Sequence, residues 1–213
     1  MNGFFVTFEG GEGCGKTTLI QSLQKELVKK GIEPLVTREP GGSVIAEEIR
    51  SVILDKANTK MDARTEALLY AASRRQHLVE VVIPALKEGR LVLSDRYIDS
   101  SLAYQGYARG IGIDEIYSIN SFAVDSTMPD LTFFLDLKPE EGLKRIALHR
   151  QNEVNRLDLE KLSFHQKVYE GYQILLKRFP ERMVRIDASQ TIEEETKEVL
   201  AILEKKWQAK NHG

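Results

Sequence analysis

The run Phe4-Phe5-Val6-Thr7-Phe8-Glu9-Gly10-Gly11-Glu12-Gly13-Cys14-Gly15-Lys16-Thr17-Thr18 decides how the rest of this chain is read. An apolar stretch of strand length passes into a glycine loop. A helical pattern follows, with Leu19, Leu23 and Leu27 on one face and Gly31 as its stop. Gly10 to Thr17 fits G-x-x-x-x-G-K-[ST], a loop that cradles phosphates. Such a loop must bring backbone N–H groups close to phosphate oxygens, and side chains would block that approach, so glycine recurs. The helix that starts near Gly15 then points its free N–H groups and positive dipole end at the anion. Lys16 is placed to reach the β- and γ-phosphates, and the Thr17 hydroxyl to hold Mg²⁺. Gly10, Gly11, Glu12, Gly13, Cys14, Gly15, Lys16, Thr17 and Thr18 are therefore the expected contacts of a nucleoside triphosphate.

The chain has 213 residues, room for one large α/β domain with a full core. Lys+Arg number 30 and Asp+Glu 32, a net charge of −2, which argues against a nucleic-acid polymer as the main partner. A local basic pocket for a small phosphorylated ligand is still compatible with that balance. Cys14 has no second cysteine to pair with, and a cytoplasmic location is the simple inference. No apolar run is long enough for a membrane helix, so no membrane partner is expected. The four histidines, His77, His149, His165 and His212, have no zinc-ligand spacing.

Apolar runs that read as buried parallel strands recur at Phe4–Phe8, Pro34–Thr37, Leu91–Ser94, Leu131–Leu137 and Met183–Ile186, with helical periodicity between them. The expected helices are Lys16–Lys30, Val44–Leu54, Arg64–Lys87 with Pro84 as a kink or restart, Ile98–Ala108, Asp114–Asp125, Pro139–His149, Leu159–Arg178 and Ile192–Lys206. This alternation predicts an α/β fold, a parallel sheet with helices on both faces, in which ligands bind at the carboxyl ends of the strands.

The strand ends carry the chemistry. Arg38 and Glu39 follow the second strand, and Arg38 could clamp a phosphate or close a surface salt bridge. Asp95 and Arg96 follow the third. A strand ending in an acid beside a phosphate loop has the form of an element that holds Mg²⁺. Ser101, Tyr104 and Gln105, at i, i+3 and i+4, share a helix face that could read a base edge or merely face water. Tyr70 and Arg74 share another face, as a stacking ring and a carbonyl donor, or as core filler and solvated charge. The polar segment at about 149–157 interrupts the helical pattern. It reads as a lid, with Arg150 and Arg156 as cations for the transferring phosphoryl group, or as an exposed connector.

Taken together, Lys16-Thr17-Thr18, Arg38-Glu39-Pro40-Gly41-Gly42, Arg74 in Ala71-Ala72-Ser73-Arg74-Arg75, Asp95 through Gly106, and Asn155-Arg156-Leu157-Asp158 resemble the thymidylate kinases. The bacterial type is the nearest, whose phosphate loop lacks an arginine and whose lid carries the basic residues. The resemblance implies a single nucleoside monophosphate kinase domain over 1–213, a three-layer P-loop kinase fold on a five-stranded parallel sheet with a short lid, and a homodimer. It implies transfer of the γ-phosphoryl of ATP to dTMP, giving dTDP and ADP, with Mg²⁺ held by Thr17 and Asp95. It assigns catalysis to Lys16, Arg38, Asp95, Arg96 and Arg150. It assigns the acceptor to Glu39, Arg50, Tyr70, Arg74, Arg96, Ser101, Tyr104 and Gln105. Within that set Tyr70 would stack on thymine, Arg74 meet a thymine carbonyl, Gln105 and Ser101 its N3 side, and Tyr104 crowd the sugar 2′ position. A GTPase-type switch is the rival class, but no Asn-Lys-x-Asp or Asp-x-x-Gly motif is present. A nucleoside kinase would need a base to activate a sugar hydroxyl, and acceptor choice separates the two.

Overall fold

The computed structural model describes residues 3–149, 156–157 and 160–212. Strand and helix alternate as the apolar pattern requires: β1 Phe4–Glu9, α1 Lys16–Lys29, β2 Leu35–Arg38, α2 Val44–Leu54, α3 Ala63–His77, a π-helical turn Leu78–Val82, α4 Ile83–Lys87, β3 Leu91–Asp95, α5 Ile98–Ser101, a second π-helical turn Leu102–Ala108, α6 Ile113–Val124, β4 Leu131–Asp136, α7 Pro139–His149, α8 Leu162–Arg178, β5 Met183–Asp187 and α9 Ile192–His212. The five strands form one sheet in the order β2-β3-β1-β4-β5, and every neighbouring pair is parallel.

Strand side chains alternate between faces, so β1 feeds two cores. Phe4, Val6 and Phe8 pack with Leu91, Leu93, Phe133 and Leu135 against Leu19, Leu23 and Leu27 of α1 and Val199 and Leu203 of α9. Phe5, Val92 and Phe134 belong to the other core, with Leu78, Tyr97, Leu102, Val168 and Tyr172. The sheet is thus the middle of three layers, as expected.

Two details differ from the sequence reading, and both bear on the site. Four strands run one residue further toward the carboxyl end than the apolar run does, while β4 stops one residue before the end of its run at Leu137, so Glu9, Arg38, Asp95, Asp136 and Asp187 are terminal strand residues. Sheet hydrogen bonding continues past the point where side chains stop being buried in apolar surroundings. The helical stretches Arg64–Lys87 and Ile98–Ala108 are not uniform α-helix, because a π-helical turn interrupts the first and takes over the second after Ser101. The first of these turns ends just before Pro84, whose ring and missing N–H would disturb an α-helical ladder there.

Candidate active site

The phosphate loop joins β1 to α1. Gly13 has φ 71°, and a Cβ on it would stand 2.2 Å from the Gly142 carbonyl oxygen, so no larger residue fits between loop and α7. Gly15 caps α1 in the left-handed region without a side-chain bond, which leaves the first N–H groups of the helix free to meet an anion. Lys16 is buried and folds back over the loop, its Nζ donating to the carbonyls of Gly10 (3.1 Å) and Gly11 (2.9 Å). The Thr17 hydroxyl donates to Asp95 Oδ2 at 2.9 Å. Loop and third strand end therefore converge on one point.

A cavity of about 280 Å³ opens over that point, and Lys16, Thr17, Arg38, Arg50, Asp95 and Arg96 are among the residues that line it. Arg38 reaches from the end of β2 and rests on Glu47 at 2.8 Å. Arg50 of α2 donates to the Pro40 carbonyl at 2.8 Å, and its pKa is lowered by burial and by the neighbouring charge of Arg38. Arg96 has φ 72°, uncommon for a residue with a Cβ, and is held on several sides. Its guanidinium donates to the Gly10 carbonyl at 3.1 Å, Ser100 Oγ at 3.2 Å and Glu12 Oε1 at 2.6 Å. Burial alone would raise the pKa of Glu12, but the charges of Arg96 and Lys16 and the Tyr104 hydrogen bond outweigh it and bring the carboxyl down to about 2. Three arginines and a lysine around one cavity, with few acids left unpaired, make a receptor for more than one phosphate.

Tyr70 lines this cavity and also a recess of about 20 Å³ that shares Tyr70, Arg96 and Leu157 with it. Ser100, Tyr104 and Gln105 complete the recess. An α-helical spacing would have placed Ser101 there. Because the π turn begins at Leu102, the wall is built at i, i+4 and i+5 instead, and Ser101 Oγ accepts from Arg74 Nη1 at 3.1 Å inside the protein. Arg74 shares the turn of α3 expected for it, yet it is one of the most buried side chains, at 1% exposure, and lines neither space. Its guanidinium is bonded to Glu39 Oε2 at 2.7 Å, the Tyr97 carbonyl at 3.0 Å, Ser101 and Asn120. Glu39 touches the main cavity, but its carboxylate faces Arg74 and His77.

Arg150 lies outside the described residues. Arg156 is buried, its guanidinium paired with Glu66 and its Nε donating to the Ile53 carbonyl at 2.9 Å. It ties the chain at this point to α2 and α3, so the guanidinium expected to face a transferring phosphoryl group is held on Glu66 instead.

Sequence reasoning passed over several residues of the site. Glu9 is fully buried behind the loop and accepts from Tyr97 N (2.8 Å), Ser100 Oγ (2.5 Å) and Tyr172 Oη (2.8 Å). Its position at a strand end was the available signal. Tyr172, far away on α8, had none. On the other side of the loop a second cavity of about 360 Å³ is lined by Gly13, Cys14, Thr18, Arg145, Ile192 and Glu195 among others. Burial raises the pKa of Glu195 to about 7 against the pull of Arg145. Among the described residues no cluster of three or more His, Cys, Asp or Glu could hold a metal.

Comparison with known proteins gives one consistent result. The family model for thymidylate kinase matches residues 8–199. A thymidylate kinase of Oceanobacillus iheyensis is 55% identical over 213 residues, covering 100% of this chain and 95% of its own. One of Bacillus velezensis is 61% identical over 203 residues, covering 95% and 96%. One of Clostridium novyi is 60% identical over 201 residues, covering 94% and 98%.

Proposed function

The chain belongs to the thymidylate kinase family and phosphorylates dTMP with ATP in the synthesis of dTTP, and from that premise we propose how its residues do so. The observation that carries the reading is the meeting of Lys16, Thr17 and Asp95 at the helix N-terminus, under a cavity walled by Arg38, Arg50 and Arg96. ATP lies with its triphosphate on the loop from Gly10 to Thr18. Its adenosine is directed to the second cavity, beside Arg145. dTMP lies across the main cavity with its phosphate between Arg38 and Arg96, flanked by Arg50, and its base toward Tyr70 and Gln105.

An oxygen of the dTMP phosphate attacks the γ-phosphorus of ATP. The new P–O bond forms as the bond to the β-phosphate oxygen breaks, leaving dTDP and ADP. With a second pKa near 6 the acceptor phosphate is largely dianionic at neutral pH, so no general base is needed. The difficulty is repulsion between two anions, and fixed cations that need no reorganisation lower it. Lys16 supplies one and Arg96, clamped by Gly10, Glu12 and Ser100, another.

Thr17 and Asp95 offer two hard oxygen donors side by side, a set that suits Mg²⁺ sharing its remaining positions with phosphates and water. When bound, Mg²⁺ neutralises charge on the β- and γ-phosphates. Arg74 supports the acceptor site by fixing Glu39, Ser101 and the Tyr97 carbonyl. If it meets the thymine directly, the bonds it makes here must open. We further propose a single domain with a lid at about 149–157 that contributes Arg150, a cytoplasmic location and a homodimer. No helix among the described residues is long and apolar enough to cross a membrane.

The test is ADP release with ATP, Mg²⁺ and a panel of acceptors: none, thymidine, dTMP, dUMP, UMP, dCMP and dGMP. Strong turnover with dTMP, weaker with dUMP and very little otherwise supports these roles. Turnover with thymidine and none with dTMP would sink them.

A further inference from the structure

We propose that Glu66 decides which pyrimidine the enzyme accepts, by holding the amide of Gln105 so that its carbonyl oxygen faces the acceptor's base. The proposal rests on the reading of Gln105 as a base-facing residue. Gln105 and Glu66 are both about 1% exposed, and Gln105 Nε2 donates to Glu66 Oε1 at 2.8 Å. A carboxylate can only accept, so the amide atom turned toward it has to be the NH₂ group. The reversed amide would set two oxygens against each other.

Glu66 is held in that role from the other side. Arg109 donates to both of its oxygens at 3.3 Å, and Arg156 donates to Oε2. Burial alone would raise the pKa of Glu66. The Gln105 hydrogen bond and the two arginines more than offset that and keep the carboxyl below its ordinary range, hence ionised at neutral pH. Arg156 is itself anchored on the Ile53 carbonyl at 2.9 Å, so the carboxylate is braced against rotation.

The consequence falls on Gln105 Oε1. Among the described residues the bond to Glu66 is the one side-chain hydrogen bond of Gln105, and its side chain lines the recess beside Tyr70, Ser100 and Tyr104. Its carbonyl oxygen is therefore an acceptor waiting for a donor. A ring carrying N3–H, as thymine and uracil do, supplies that donor. Cytosine brings a lone pair at N3 and leaves two acceptors face to face, a desolvated mismatch that no neighbouring water can repair in a recess with room for about one molecule. Admitting any ring requires Tyr70 and Leu157 to part, which makes the recess dry once filled. Glu66 touches neither substrate nor reacting atoms, and acts through Gln105 as a positioning residue.

In Glu66→Gln the neighbour can donate as well as accept, and Gln105 is free to turn over. The ratio of kcat/KM for dTMP to that for dCMP should fall roughly five- to a hundredfold, the worth of one buried unpaired acceptor. A folded Glu66→Gln enzyme with the ratio unchanged overturns the proposal. Gln105→Met separates the two levels. If it leaves the ratio unchanged, Gln105 does not read the base and the underlying reading fails. If it lowers the ratio while Glu66→Gln does not, only the role of Glu66 is lost. Glu66 also neutralises two arginines, so its variant could fail to fold. The unaltered enzyme then gives an independent readout by NMR of ¹⁵N-labelled protein, with the Gln105 amide signals assigned by their loss in Gln105→Met. Slow exchange of the Nε2 protons with water before and after dTMP addition is expected. Fast exchange that slows only when dTMP binds would place the NH₂ toward the acceptor and overturn the proposal.

Discussion

Lys16 spends its charge on two loop carbonyls, Gly10 and Gly11. That arrangement parks the ammonium where β- and γ-phosphate oxygens would replace the carbonyls, at little reorganisation cost. Because the charge matters most while the phosphoryl group is in transfer, Lys16→Ala should lower kcat by about a hundredfold or more. Affinity for dTMP, measured by equilibrium binding without ATP, should change little. An unchanged single-turnover rate would remove Lys16 from the phosphate site. Glu9 presents a different case. Burial first, then the charge of Asp99, raise its pKa to about 7, against the hydrogen bonds of Ser100 and Tyr172 and the charge of Arg96. Between its ordinary 4.5 and about 7 the folded protein binds this proton more tightly than the unfolded chain. Stability is therefore highest on the acid side of that window and falls as pH rises through it. Glu9→Gln cannot ionise, so its urea midpoint should lose that part of the slope, up to about 3 kcal/mol across the window. Glu195 titrates with the same sign, so the quantity to measure is the difference in slope between parent and variant. Parallel profiles would show that Glu9 is ionised throughout.

At the scale of elements, the phosphate loop and α7 share a surface that permits no extra atom. A Cβ on Gly142 would stand 2.1 Å from the Glu12 carbonyl oxygen, just as one on Gly13 would strike Gly142. Glu12 sits between Gly11 and the cradle, so Gly142→Ala has to push the loop away from α7 or α7 away from the loop. Overpacking of this kind costs about 1–3 kcal/mol. The cost should appear as roughly a five- to hundredfold weaker ATP affinity by calorimetry, with dTMP affinity nearly unchanged. Equal ATP affinity would mean that α7 yields freely. Gly142 was invisible in the sequence, where it is one glycine in the first turn of a helix, whereas Gly10, Gly13 and Gly15 announced themselves by their spacing to Lys16. The same divide runs through the helices. β1, β3, β4 and α1 followed from the apolar pattern, because those strands are buried on both faces and α1 along one. The π turns at Leu78–Val82 and Leu102–Ala108 did not, because a single extra residue per turn hardly alters a short apolar pattern. That extra residue exchanged Ser101 for Ser100 in the recess wall, so an error of local geometry became an error of site composition.

Over the whole molecule, the parts of the site that were legible are those fixed by local spacing or by a strand end: the loop, Arg38, Asp95 and Arg96. Those that were not are held by partners far away in the chain. Tyr172 reaches Glu9 across 163 residues and Arg156 reaches Glu66 across 90, and no single-sequence pattern encodes such pairs. The proposed association of two chains would have the same character, but one surface feature bears on it. Phe122 on α6 is 93% exposed, with Leu68 on α3 at 57% and Val79 in the following π turn at 39%. These elements form a continuous helical run and a helix packed on it, as the Arg75 bond to the Ala123 carbonyl at 3.3 Å illustrates. An aromatic ring left almost wholly in water is the kind of anchor that a partner subunit buries. Sedimentation equilibrium at micromolar concentration should give a mass near twice the 24.2 kDa of the chain. Phe122→Glu places a charge where that ring would be desolvated, and dissociation should become easier by a factor of about 30 or more. The variant should keep the thermal transition of a folded chain, since Phe122 belongs to neither core. A parent protein that sediments as a single chain would withdraw the homodimer, and a variant that stays paired would move the interface to another face.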